Sequence, residues 1–521
     1  MSLPRKRLLR RESTLIDGEV SDLVQAHSSR QLCAESFLDG TLLEQLAIEN
    51  CKAFSSLFGH RRPFVPNRCI SIGSACTGSG SEVAATHYFE QAALGQGYEN
   101  FSVKHVFSCE VRDDKRAWIH SMNKKFSESG QCIFKDIRDL GQGKAACYTH
   151  GDLCNVPSCD IFICCTSCKD ISRLSPSQSL VLQEQVSSGG SAQTFHGMLA
   201  YIDAARPAIV IFENVEAIND MDANSEMTNM DIVLSEFASR NYECQQMCGD
   251  SSKYGVPQKR KRVYLIAFLV VANSSIDFMH RSIQDTFQTL RSLITVCQRS
   301  PPCASKILYS ASDDRVLDRL KRRRLEMQKS HNQCYSVDKA ITASIASGVS
   351  WSAIQTPEIL KSSPWFQTLT PQQRHVAAFS LGTDPTPALL RDISYSSHKA
   401  RCSTSSEAGR HVCFTVTPKQ LVLVFKEKEM PRLLLGQEAL LLQGFPVSVV
   451  SDLVEATSNA ALADLAGNMV SVPVLLVLLM ASVASVEWID SEVAPVADLA
   501  PGVEDPENVA LQAFQLLRRK P

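Results

Sequence analysis

A chain of 521 residues with 44% hydrophobic content can bury a large core, which excludes a wholly disordered or fibrous protein and points to about two or three domains. The net charge of −2 excludes wholesale attraction to a polyanion, so any nucleic-acid contact falls to local basic clusters at residues 5–11 and 319–324. Nineteen cysteines, an odd number with no compact disulfide spacing, point to a reducing compartment, and the basic N-terminus lacks an apolar stretch of signal-peptide length.

Residues 1–64 read as a partly helical lead-in, because apolar positions between Leu38 and Leu57 recur every three or four residues. From 65 to 271 the pattern changes. Strand candidates at Cys69–Ala75, His105–Cys109, Asp160–Cys165, Ala208–Phe212 and Arg262–Val270 alternate with helical stretches such as Ser81–Leu94 and Gly197–Ala205, which predicts an α/β fold with a largely parallel sheet. Between 272 and 429 the alternation gives way to Ser-rich, Pro-punctuated, locally basic sequence, read as a smaller irregular domain. The apolar pattern resumes at 430–489 as a return segment, and 490–521 is an acidic tail with a short helix at Glu507–Arg519. Val470–Val486 is too short for a membrane span and contains Pro473 and serines, so it predicts a buried helix.

Ligands bind open α/β sheets at the carboxyl ends of the strands, and those ends carry unusual residues here. After the first strand comes Cys76-Thr77-Gly78-Ser79-Gly80-Ser81-Glu82, whose glycines allow a tight turn beside a helix N-terminus. A third Gly or Ala of the dinucleotide pattern is replaced by Val83, which argues against a nicotinamide cofactor. Glu110 ends the second strand, placed to accept from ribose hydroxyls, and Asp136-Ile137 follows Cys132-Ile133-Phe134, placed to meet an adenine amino group. Together they describe an adenosine-bearing cofactor. In the run Cys164-Cys165-Thr166-Ser167-Cys168, the first two cysteines continue an apolar strand, whereas Cys168 lies beyond it among polar residues. Glu213-Asn214-Val215 follows another apolar run, and Gln258-Lys259-Arg260-Lys261-Arg262 precedes a further strand, its alternate side chains on one face. A thiolate with a proton-donating carboxyl suits covalent catalysis.

The order of these motifs resembles the DNA cytosine-5 methyltransferase family over about Arg68–Val486. The resemblance implies a Rossmann-like S-adenosylmethionine-dependent domain with an inserted target-recognition domain at 272–429. It implies Cys168 as nucleophile, Glu213 as the group acting on N3, and Arg260 and Arg262 on the base and flanking backbone. Asn214, Gln258 and Lys169 fall on the substrate side, and Cys76, Gly78, Gly80, Glu110, Asp136, Ile137, Asn468 and Val470 on the cofactor side. Glu438 with Gln443-Gly444-Phe445-Pro446, and Gly467-Asn468-Met469-Val470, match the family's late elements. The partner implied is duplex DNA with a flipped cytosine, in the nucleus of a eukaryote or otherwise the cytoplasm, with no membrane and no secretion.

Four positions depart from the family pattern. Thr166-Ser167 stand where it has two prolines, which frees the loop backbone. Lys169 replaces a glutamine, an adjacent ammonium that favours the thiolate. Cys76 stands at the place of an aromatic that packs on the cofactor. Rival readings are an inactive DNA- or cofactor-binding relative, an RNA cytosine-5 methyltransferase, and a zinc or redox module on Cys154, Cys159, Cys165 and Cys168. The last is weakened because Cys165 sits in an apolar strand and no His completes a second ligand pair nearby, and no metal is assigned.

Overall fold

The computed structural model describes residues 32–489 except 330–355 and shorter stretches, among them 60–62, 174–180, 184–189, 395–400 and 406–410. The basic run at 5–11 and the acidic tail with its helix lie outside the described residues.

Strands β1 (Cys69–Ala75), β2 (Ser102–Cys109), β3 (Cys132–Phe134), β4 (Lys144–Ala146), β5 (Leu153–Asn155), β6 (Ile161–Cys164), β7 (Ile209–Val215), β8 (Tyr242–Asp250) and β9 (Lys261–Leu269) follow one another along the chain. Seven of them form one sheet in the order β3-β2-β1-β6-β7-β9-β8, while β4 and β5 make a separate hairpin. From β3 to β7 the strands are parallel. β9 runs antiparallel to both β7 and β8, so the expected parallel sheet ends in an antiparallel pair. This is a Rossmann-like α/β fold.

Alternation along the strands divides the core between the two faces of the sheet. Ile70, Ile72, Ile161, Ile163, Cys165, Ile209, Ile211 and Ile266 pack on one face. Phe107, Phe162, Cys164, Val210, Phe212, Val263 and Leu265 pack on the other. Cys164 and Cys165 therefore fill opposite cores at the end of β6.

The lead-in helix is Leu42–Phe58, and Leu43, Leu46, Ala47, Asn50, Cys51 and Phe54 make its buried stripe. The helix at Val472–Ser485 is buried on every side, which explains a sequence apolar all round. By length and composition Asn459–Ser485 is apolar enough to cross a membrane, but 94% of its most apolar window is buried inside the protein. Val472–Ser485 packs against Leu42–Phe58, Ser81–Gly95 and Ile283–Val296. Because Ile276–Asp277 also pairs with Glu487–Trp488, the chain beyond 272 first continues the main lobe.

The irregular lobe follows. It contains helices at Asp314–Lys329 and Pro371–Thr383 and an antiparallel sheet of Leu390–Asp392, Val422–Val424 and Arg432–Leu433. That sheet takes its last strand from beyond the expected boundary at 429 because Arg432 is pinned to the return segment. Its guanidinium pairs with Glu438 at 2.7 Å, with both side chains almost wholly buried. The same carboxylate accepts from the Tyr309 and Leu435 backbone N–H groups at 2.8 and 2.9 Å. Removing one partner leaves a buried charge unanswered. Glu438→Ala is therefore expected to destabilise the protein by about 3 to 5 kcal/mol, whereas replacing both residues with apolar ones of similar volume recovers most of that loss. Denaturant midpoints of the two variants check this.

The basic run at 319–324 lies on the helix Asp314–Lys329. Arg319 pairs with Glu326 and Arg322 with Asp318, while Arg323 turns inward to Thr368 Oγ1 at 2.9 Å. Much of its charge is thus spent within the lobe.

Candidate active site at the carboxyl edge of the sheet

The glycine turn joins β1 to the helix Ser81–Gly95. Gly78 and Gly80 have φ of +78° and +71°, and a Cβ on Gly78 would meet Asn468 O at 3.4 Å and Lys115 Nζ at 3.5 Å. The return segment closes on the same turn, since Ser81 Oγ donates to Val470 O at 2.9 Å. Cys76 is a turn residue here, with φ of +60° and its N–H bonded to Cys109 O at 2.9 Å, so it takes a glycine-like conformation where an aromatic's place was expected. Behind the turn lies Glu82, named in sequence only as part of the motif. It is fully buried, accepts from Ser74 Oγ at 3.0 Å, and burial raises its pKa.

Glu110 follows β2, nearly buried, with one carboxylate oxygen accepting from the Arg112 N–H at 3.0 Å. Beside it Val111 is 68% exposed, an apolar side chain presented at the rim that no sequence pattern singled out. The Asp136 carboxylate caps the turn Ile137–Gln142 through the Arg138 N–H at 2.9 Å and pairs with the Arg138 guanidinium, which lowers its pKa. Ile137 is buried, its backbone against Gly197. Asn468 is exposed, and its amide donates to Asp464 O at 2.8 Å.

The loop after β6 is held without prolines. Asn214 Nδ2 donates to Thr166 Oγ1 at 3.1 Å. Ser167 N–H, a donor that proline lacks, bonds to Thr194 Oγ1 at 3.0 Å. Asp170 and Ser191 exchange two further bonds, at 3.2 and 2.9 Å, and the Cys168 carbonyl accepts from Ser172 N at 2.9 Å. The freedom expected from losing the prolines is thus taken up by side chains of Asn214 and the helix Gly190–Ala205.

Glu213-Asn214-Val215 lies inside β7, not after it, because antiparallel β9 pairs along the whole triplet, Val215 opposite Arg262. The same reversal brings the start of β9 to the edge where the parallel strands end. Arg262 Nε lies 3.1 Å from Glu213 Oε1. Arg260 is engaged differently from Arg262: it is buried and donates to Met469 O at 2.6 Å, pinning the return loop. Gln258 is wholly buried, with neither amide atom paired among the described residues. Cys168 lies close enough to the Glu213–Arg262 pair to feel its charges. Burial and the Glu213 carboxylate raise its pKa, and Arg262 and Arg260 pull the other way. The cationic influence expected of Lys169 comes from these arginines, Lys169 itself being exposed.

Losing a hydrogen bond to a charged group costs about 1.5 to 3 kcal/mol, so Glu110→Ala is expected to weaken S-adenosylmethionine binding by that amount in a calorimetric titration.

Compared with known proteins, residues 91–482 match the C-5 cytosine-specific DNA methylase family. The match begins past the glycine turn and covers about three quarters of the chain. Among curated proteins, a DNA (cytosine-5-)-methyltransferase DMT5 of Cryptococcus neoformans var. grubii is 28% identical over 78% of this chain and 17% of its own length. The protein of the same name from Verticillium dahliae is 24% identical over 78% of this chain and 19% of its own length. The chain thus spans under a fifth of the length of these relatives. The crystal structure of S. pombe Dnmt2 methyltransferase aligns with 79% of this chain and 97% of that one at 13% identity and a TM-score of 0.41. Matched over about three quarters of its length, the chain belongs to the C-5 cytosine-specific DNA methylase family.

Proposed function

We propose that this chain transfers a methyl group from S-adenosylmethionine to C5 of a cytosine in DNA, through a covalent bond between Cys168 and C6. The observation that carries the reading is the convergence of Cys168 with the Glu213–Arg262 pair at the carboxyl edge of the sheet. Members of this family use S-adenosylmethionine as methyl donor. The glycine turn fits that group, because Gly78 and Gly80, at φ of +78° and +71°, hold a backbone turn without side chains beside the start of a helix, and Glu110 at the end of β2 is proposed to accept from the ribose hydroxyls. When bound, S-adenosylmethionine supplies an electrophilic methyl group.

In the proposed mechanism, Cys168 ionises and its sulfur bonds to C6 while Glu213 gives or shares a proton at N3. Electron density then gathers at C5, making it enamine-like. Arg262 holds Glu213 and faces the base. Once C5 is methylated, loss of its proton to solvent returns the electron pair to the C5–C6 bond and expels Cys168 as a thiolate, while N3 hands its proton back to Glu213. A stacked base cannot reach this pocket, so flipping, at a cost of a few kcal/mol, precedes the chemistry. The irregular lobe is proposed to grip the duplex. It meets the Gln258–Arg262 segment directly, through Lys259 N to Cys413 O and Thr415 Oγ1 to Lys259 O, each 2.7 Å.

Incubation of the protein with labelled S-adenosylmethionine and either duplex DNA or transfer RNA tests the reading. Label is expected at C5 of cytosine in DNA. Label in RNA alone would overturn the substrate, and cofactor binding without transfer to either polymer would overturn the activity.

A further inference from the structure

Away from this pocket, the hairpin of β4 and β5 lies against β3, the edge strand of the main sheet. The hairpin is tied down by backbone bonds from Tyr148 N to Ile133 O at 2.7 Å and Lys135 N to Ala146 O at 3.0 Å, and by Thr149 Oγ1 to Gln131 O at 2.8 Å. Phe134 pairs with Cys147 across the junction, and Ala145 with Cys154 across the hairpin. Since side chains alternate along strands, Cys132, two residues from Phe134, and Cys147, two from Ala145, fall on the same face as Cys154. The turn at Gly151, with φ of +74°, folds His150 back over them.

The result is four donors at one point. The Nδ1 atom of His150 lies 3.6 Å from the sulfur of Cys132, 3.4 Å from that of Cys147 and 3.3 Å from that of Cys154. All four atoms lie within 4.8 Å of one another. Hydrogen bonding does not account for this. One imidazole nitrogen carries one lone pair or one proton, so at most one of the three thiols is served by it. A cation serves all four. For tetrahedral zinc, with Zn–S near 2.3 Å and Zn–N near 2.0 to 2.1 Å, the S to N edge is about 3.6 Å, close to the three distances here.

We propose that Cys132, Cys147, His150 and Cys154 bind one zinc ion, which staples the β4–β5 hairpin to β3. Binding releases the three thiol protons to solvent and leaves His150 neutral. Four protein donors close the coordination sphere, so the ion is structural and offers no open position for a substrate. It also clips together the ends of the segment that carries Asp136 and Ile137 and shields a sheet edge otherwise open to pairing. A metal module on Cys154, Cys159, Cys165 and Cys168 is not what the fold builds: Cys159 contacts Tyr201 Oη at 3.2 Å, and Cys165 lies in the opposite core.

Metal content of the whole chain, purified without chelators, tests the proposal. The wild type is expected to carry close to one zinc per chain, and cobalt exchanged into it should give the ligand-field spectrum of a tetrahedral thiolate site. Cys147→Ser with Cys154→Ser should abolish both signals. Cys248→Ser, an exposed cysteine on β8, should change neither. His150→Cys preserves four donors and should retain the metal even if the serine variants fold poorly. Folded wild-type protein that takes up neither zinc nor cobalt overturns the site, as does a metal signal that survives loss of Cys147 and Cys154.

Discussion

Cys168→Ser is expected to abolish methyl transfer, a loss of at least about 10,000-fold, because a serine hydroxyl does not supply the soft, ionisable nucleophile that addition to C6 requires. The contrast with its neighbours makes the experiment specific. Cys164 is fully buried in one core and Cys165 is buried in the other, whereas Cys168 is only partly buried, beyond the end of β6. Cys164→Ala and Cys165→Ala should cost stability through the smaller side chain and leave the chemistry in place. DNA carrying 5-fluorocytosine reads this directly. Fluorine is not lost from C5 as a proton is, so the thioether to C6 persists after methylation and the protein stays attached under denaturing conditions. Wild type, Cys164→Ala and Cys165→Ala should give the adduct and Cys168→Ser none. A peptide map placing the adduct on another cysteine would sink the assignment.

Why the two buried cysteines were separable from the third in the bare sequence is a matter of alternation. A strand of period two shows its ends plainly when polar residues follow, and Thr166-Ser167 marked the end of β6. Glu213 was harder to place. A charged residue after an apolar run reads as a loop, yet antiparallel pairing with β9 extends β7 through Val215. The reversal of β9 is a tertiary fact with no local signature, and it also decides that Arg262 reaches Glu213 while Arg260 turns to Met469 O. The same limit hid His150. Its partners are a strand neighbour 18 positions upstream and two hairpin residues, and only the docking of β4 onto β3 brings them together. The loop before Cys168 shows the converse: Thr166 and Ser167 looked like losses against a proline pattern, but each accepts or donates a bond that proline does not make.

Glu213→Gln separates catalysis from nucleophile reactivity, because the two should move in opposite directions. Loss of a positioned proton donor costs roughly 100- to 10,000-fold in methyl transfer, since glutamine has no ionisable proton to give to N3. The thiol responds to a different property of the same residue. The Glu213 carboxylate is one of the groups that raise the Cys168 pKa, second only to burial. Removing its negative charge lowers that pKa, so at a fixed pH below it a larger fraction of Cys168 is thiolate. Alkylation of Cys168 by iodoacetamide in the free protein should therefore be faster in Glu213→Gln than in wild type, and the pH at which it is half-maximal should fall. Arg262→Gln removes a charge that lowers the same pKa and should slow alkylation instead. An enzyme merely loosened by mutation would expose Cys168 and quicken alkylation in both variants. Opposite changes in the two, set against a fall in methyl transfer in Glu213→Gln, are the signature of one thiol held between a carboxylate and a guanidinium. Equal changes would remove Glu213 from its side.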